Sequence, residues 1–367
     1  MRQHAPVYWD EPGQVWGIAC YGDLLEISKR PEAFSNSAGI RPDSPSFPYM
    51  INLDDPLHKR RRNLVNRGFT LRRVQDREPR IRELARRLVS AAARKERFDF
   101  VREIAAPLPL MVIGDMLGVD PADYARLLAW SDDLVKGSGA TDPARIESAT
   151  KAFGEYSAYQ LAVIADRRGR PPQDDLVSIL VHAEIDGERL DDETLLWECM
   201  LILIGGDETT RHVISGGMYQ LLLQRELVDR LRSHPAVLPT AVEEMLRWVS
   251  PIKNMARTVV NDVEVRGQAL RRGQKLLLLY PSANRDAEVF PDPFRFDIER
   301  TPNEHVAFGF GPHYCLGASL ARLELRVVFE EILAALPELR LAGIGLPAER
   351  SSNFISGIER LDVTLGG

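Results

Sequence analysis

Cysteine is scarce in this chain. Its 367 residues hold three, Cys20, Cys199 and Cys315, far apart in sequence. With no CxxC pair, neither a disulfide framework nor a structural zinc site is expected, and an odd, sparse count fits a reducing compartment. A long apolar run is missing too: none approaches a membrane span, and the opening MRQHAPVYWDEPG has no signal-peptide core. A cytoplasmic protein without a membrane span is the expectation. Positive charge is not in excess, with 47 Lys and Arg against 53 Asp and Glu and a net charge of -6. That balance argues against a nucleic-acid partner. There is no internal repeat, no low-complexity linker and no clear domain boundary. Residues 1–367 are therefore expected to form one large, mainly α domain with minor β-sheets, and the length suffices for a large core.

Helical periodicity is expected over 78–95, 121–136, 143–168, 191–224, 226–232, 236–248 and 316–335. Asp191-Asp192-Glu193 and Pro121 with Asp123 are start signals, and Pro171-Pro172 is a break. Residues 15–20 and the alternating stretch after Arg257 read as strands. Turns at Asn261-Asp262 and Arg272-Gly273 suggest small hairpins rather than a large sheet.

Cys20 sits in a strand-like segment and Cys199 in an apolar helix, where a cysteine acts as a small buried apolar residue. Cys315 differs. In FGFGPHYCLG, Phe308, Gly311, Cys315 and Gly317 fill the pattern F-x-x-G-x-x-x-C-x-G, and an apolar helix follows at once. A sulfur at a helix N-terminus is stabilised as thiolate. Gly309 and Gly311 allow unusual backbone conformations, and Gly317 lets something flat approach the first turn. Such a thiolate can be a metal ligand, or a nucleophile if a base such as His313 faces it; a passive turn is the third reading.

The helix 191–224 would span roughly 50 Å. Its apolar first half runs into GGDETT, where Gly205-Gly206 weaken the helix and Asp207, Glu208 and Thr209 are polar. Buried carboxylates there would need a partner or a use; the plain alternative is a solvated face. Glu244 and Arg247 share a helix face, and taken alone read as a surface ion pair. In DDPLHKRRRNLV, His58 and Arg62 point the same way and can hold an anionic group; otherwise they belong to a solvated basic helix.

Together these stretches resemble the cytochrome P450 family of haem-thiolate monooxygenases. The cysteine loop matches the family's haem-binding signature, GGDETT its central helix, Glu244-Met-Leu-Arg247 its E-x-x-R helix, and FRFDIER its meander, with Arg300 as third charge. The resemblance runs from about Val7 to the C-terminus, with an N-terminus that looks short for the family. It implies a single triangular-prism domain. It implies Cys315 as axial ligand of the iron of haem b, with Phe308, Gly309 and Gly317 beside the haem and His58, Arg62, Arg257 and His313 at its propionates. It implies a structural charge network of Glu244, Arg247 and Arg300. Thr209 would stabilise iron-bound oxygen and Glu208 relay protons. O2 would be co-substrate, with electrons from NAD(P)H through a separate reductase and ferredoxin. Arg60, Arg61, Arg322 and Arg326 are candidate ferredoxin contacts.

Within the family, the stretch from Gly39 to Thr70, EEMLRWVSPIKNMAR and SNFISGIE are similar to actinobacterial sterol side-chain hydroxylases, which oxidise the terminal methyl of cholesterol or cholest-4-en-3-one. A lipophilic substrate would then meet Met50, Ile51, Leu201, Gly205, Ile252, Met255, Phe354 and Ile355. A fatty acid or terpenoid is the alternative substrate. The competing activities are a peroxide-driven enzyme of the same fold, a haem-binding sensor and a cysteine hydrolase.

Overall fold

The structure is a computed structural model that describes every residue except 43–45, 138–139, 186, 344 and 367. Its helices are α1 (Tyr21–Ser28), α2 (Leu57–Val65), α3 (Leu71–Asp76), α4 (Glu78–Ala92), α5 (Pro107–Met116), α6 (Tyr124–Gly137), α7 (Pro143–Arg168), α8 (Leu176–Val181), α9 (Asp192–Leu223), α10 (Arg225–Ser233), α11 (Leu238–Val249), α12 (Tyr280–Ala283) and α13 (Ala318–Ala335). Each of the seven expected helices is present. Caps explain several boundaries. The Asp142 side chain accepts from the Ala144 amide with Pro143 in the first turn of α7, and Asp191 accepts from Thr194 at 2.7 Å to open α9.

The helices that periodicity missed are short or buried on several sides. In α5, PLPLMVIGDM buries seven of its ten residues, so no polar stripe marks a period. It packs against α9.

The Gly205-Gly206 pair does not interrupt α9, which is continuous from Asp192 to Leu223. The two glycines serve different neighbours. A Cβ on Gly206 would lie 2.5 Å from Ile113 of α5, so glycine permits the close helix crossing. A Cβ on Gly205 would meet nothing within 4 Å, because that side faces a cavity.

The strands after Arg257 do not stay as separate hairpins. Lys275–Leu279 pairs with Asn254–Val259 inside a five-stranded sheet, completed by Val7–Asp10, Val15–Ile18 and Phe34–Ser35. A local hairpin in this stretch, Val263–Val265 with Gln268–Leu270, turns at Arg266-Gly267, where φ is +47° and +75°. The sheet covers a smaller apolar core, while the larger core surrounds α9. Among the described residues no helix is long and apolar enough to cross a membrane.

Candidate active site

The cysteine loop is pinned from both ends. The Cys315 amide donates to the Phe308 carbonyl at 2.9 Å, and Gly317 caps α13 two residues later. Gly309 and Gly311 have φ of +70° and +75°, and a Cβ on Gly311 would stand 2.3 Å from the Ser28 carbonyl oxygen. Only glycine fits there. Burial raises the Cys315 thiol pKa, opposed by the Gly317 amide and by the Arg62 and Arg322 charges. Desolvation outweighs these three, so burial favours the neutral thiol. No imidazole contacts that sulfur among the described residues. His313 stacks on His58 instead, ring centroids 4.0 Å apart, which removes the base that a cysteine hydrolase would need.

Cys315 opens into a mainly apolar cavity walled on the other side by α9. Met50, Ile51, Leu201, Gly205, Ile252 and Met255 line it, and so do Thr209, Phe308, Gly309 and Gly317. Phe354 and Ile355 are not among its lining: Phe354 lies beneath the Arg41 guanidinium at 4.9 Å, and Ile355 is buried where the backbone bridges to Ile252. Ile113, Tyr280 and Glu324 also line the cavity and were not anticipated. Glu324 was readable in part, since Leu320, Ala321, Glu324 and Leu325 repeat on one face of α13.

One end of the cavity gathers basic groups. His58, Arg62, Arg257 and His313 meet there. Arg257 is 4% exposed, donates to the Ala256 carbonyl and bonds to the Tyr280 hydroxyl, while Arg62 donates to the Tyr314 carbonyl at 2.5 Å. Burial lowers the pKa of both guanidiniums. Among the described residues no carboxylate forms an ion pair with either. Buried unpaired charge is costly, so this end calls for an anion. The space beside Gly317 and Gly205 is open to a flat group. A thiol, an apolar slot and unpaired cations at one edge suit a planar, metal-bearing ligand with carboxylates, as haem is.

Thr209 and Glu208 are separated by the helix. Thr209 faces the cavity and donates to the Gly205 carbonyl at 2.8 Å. Glu208 does not line the cavity. It is buried among Arg211, which it accepts from directly, Arg350 at 3.0 Å and His212 at 3.3 Å. Asp207 turns to Ser131, whose hydroxyl donates at 2.7 Å, and burial raises its pKa to about 6.

The E-x-x-R helix holds a fully buried cluster rather than a surface pair. Arg247 grips Glu244 through two 2.7 Å bonds and donates to the Asn284, Pro293 and Arg295 carbonyls. Arg300 reaches Glu244 at 3.2 Å and donates to the Pro291 carbonyl at 2.7 Å. The structure brings together the three residues that the family resemblance grouped. The candidate docking cations fare differently. Arg322 clasps Glu243, Arg326 pairs with Glu78 and Glu330, and Arg61 reaches the buried Glu198 at 3.3 Å. Glu198 also accepts from the Met50 amide, and burial lifts its pKa to about 7. Phe47, Tyr49, Trp197 and Phe153 pack beside it; Ser44 and Pro45 of SPSFPYM lie outside the described residues.

The sequence model of the cytochrome P450 family matches residues 142–336. A steroid C26-monooxygenase of Mycolicibacterium smegmatis is 50% identical over 364 residues, covering 99% of this chain and 90% of the relative. The chain belongs to the cytochrome P450 family. It is also 40% identical to a methyl-branched lipid omega-hydroxylase of Mycobacterium bovis, over 99% of this chain and 89% of that one. Among solved structures, CYP109E1 of Bacillus megaterium in complex with testosterone superposes with a TM-score of 0.91 at 35% identity, covering 100% of this chain and 98% of the other. The protein is thus a P450 monooxygenase, an oxidoreductase that uses haem and O2, with electrons supplied by redox partner proteins, on a hydrophobic substrate.

Proposed function

We propose that this P450 hydroxylates the terminal methyl of a sterol side chain, with cholesterol or cholest-4-en-3-one as substrate. The observation that carries this reading is the 50% identity, over nearly the whole chain, to an enzyme named for steroid C26 oxidation. The apolar cavity wall of Met50, Ile51, Leu201, Ile252 and Met255 supports it.

The residue roles follow from the site's chemistry. Cys315 would hold the iron of a haem b, and Arg62, Arg257, His58 and His313 would hold its propionates, resolving the unpaired charge. Bound there, haem supplies the electron-rich iron whose thiolate ligand favours O–O cleavage. Thr209 presents a hydroxyl to the cavity, and Glu208, one residue earlier, would bring protons to it after leaving its arginines. Glu244, Arg247 and Arg300 would hold the loop from Pro291 to Arg300 under the cysteine loop. Electrons would come from NAD(P)H through a reductase and a ferredoxin, in the cytoplasm, to a chain that works as a single domain.

Spectral titration tests the substrate. Cholest-4-en-3-one should shift the haem spectrum at micromolar concentration, and a C26 alcohol should form with a ferredoxin system. A shift from methyl-branched fatty acids and none from any cholestane would transfer the assignment to the second reading, which the similarity to the branched-lipid hydroxylase favours. Turnover with peroxide alone would select a peroxygenase.

A further inference from the structure

Five buried polar atoms without a hydrogen-bond partner converge beside α9. They are Nδ1 and Nε2 of His212, Oε2 of Glu208, Nε of Arg211 and Nη1 of Arg350. His212 Nε2 lies 3.3 Å and Arg350 Nη1 3.0 Å from Glu208 Oε2, close enough for attraction but misaligned for hydrogen bonds. Arg211 also pairs with Asp132 at 2.9 Å, and Arg350 with Glu359 at 3.3 Å. An imidazole with neither nitrogen satisfied is rare in a protein interior, where buried polar groups find protein or water partners. Here the protein supplies none, and the cluster has the several polar groups that ordered water requires.

His212 also forms part of the wall of a second pocket, which begins one turn further along α9 and is open to solvent. With about 700 Å³ it has room for many waters. Gly216, Tyr219 and Lys253 are among its other walls. It shares no residue with the Cys315 cavity. His212 therefore stands between solvent on one side and Glu208, next to Thr209, on the other.

We propose that this second pocket is the proton inlet of the enzyme, and that His212 with water held in the cluster passes protons from it to Glu208. In the transfer, Nε2 releases its proton to the Glu208 carboxylate at Oε2 while Nδ1 takes one from hydronium in the pocket, which is left as water. The ring stays neutral, no electron moves, and a half-turn of the imidazole turns the newly protonated nitrogen towards Glu208 for the next transfer. The two guanidiniums favour that neutral state: burial, Arg211 and Arg350 press the His212 pKa down to about 3. His212 acts through Glu208 and is a positioning and relay residue, so the inference rests on the relay role proposed for Glu208 above.

The test compares His212→Gln, His212→Phe and, as a control outside both pockets, Tyr8→Phe. Glutamine keeps a donor and an acceptor but cannot take a proton at one atom while releasing it at another. Both His212 variants should keep haem content and sterol affinity while product formed per NAD(P)H falls about tenfold and the solvent deuterium effect on turnover rises. Tyr8→Phe should match the wild type. NMR of ¹⁵N-histidine-labelled protein gives a readout without turnover: the His212 nitrogens should be neutral and in fast exchange with water. Full coupling in both variants, coupling restored by glutamine alone, or a slowly exchanging ring would overturn the inlet. If the wild type hydroxylates no sterol, the substrate reading fails, and the NMR exchange still decides the inlet.

Discussion

At the scale of single residues, burial without a partner is the most informative feature of this protein. Arg257 is the clearest case, a guanidinium in the core that meets the Ala256 carbonyl and the Tyr280 hydroxyl but no paired carboxylate among the described residues. Arg257→Leu should leave the haem-free protein as stable or more so, since it removes an unpaired buried charge. The same change should weaken haem retention about 10- to 100-fold, the worth of a charge-assisted hydrogen bond. The haem-to-protein absorbance ratio after gel filtration measures it; full haem content would argue against an anion at this edge. Gly311 gives a second residue-scale prediction. Gly311→Ala would combine a φ of +75° with a 2.3 Å approach to backbone oxygen, and should yield protein that loses haem on purification. Cys315 and both glycines were legible in the sequence because glycine at fixed spacing around a sulfur has few uses. The direction in which Glu208 points was not, because a helix position fixes a face but not which distant cations, here Arg350, arrive on it.

Between elements, the Glu244 cluster fastens α11 to the loop that leads into the cysteine segment. Glu244→Ala would strand Arg247 and Arg300 in the core. Removing one partner of a buried pair costs about 3–5 kcal/mol, which is a large part of a typical domain's stability. Urea unfolding followed by tryptophan fluorescence should show that loss, and a change below 1 kcal/mol would mean the cluster is not structural. The α5–α9 crossing makes a milder case. Gly206→Ala would push against Ile113 at 2.5 Å and should cost about 1–3 kcal/mol as overpacking. The sequence reading took that glycine pair for a weak point in the helix. A glycine reads the same way in sequence whether it bends a helix or admits a neighbour, and only the packing of α5 separates the two.

For the whole molecule, buried acids set a dependence on pH. Glu198 has its pKa raised from 4.5 to about 7, and Asp207 from 3.8 to about 6, both mainly by burial. The folded state then binds more protons than the unfolded one over that window, so the contribution of these acids to stability is greatest below their unfolded pKa values and falls as pH rises towards 7. His212 works in the opposite sense: kept neutral in the fold, it reduces stability as pH drops below 6.5. The difference between wild type and Glu198→Gln isolates the acid. The variant should gain stability relative to wild type between pH 5 and pH 8, by urea midpoint, and a pH-independent difference would refute the buried charge.

The sequence by itself determined the helices with caps and period, and the thiol with its glycine frame. These are encoded by spacing within one segment or by residue types that have few alternative uses. The tertiary structure decided what depends on segments meeting across the chain. It gathered the late strands into a sheet with the N-terminus, because Lys275–Leu279 finds Val15–Ile18 as a neighbour. It took Arg61, Arg322 and Arg326 into ion pairs, because their acidic partners lie on other helices or other turns. It turned Glu208 from the cavity towards Arg350 and His212, because opposite charge and burial on that side outweigh an open apolar wall.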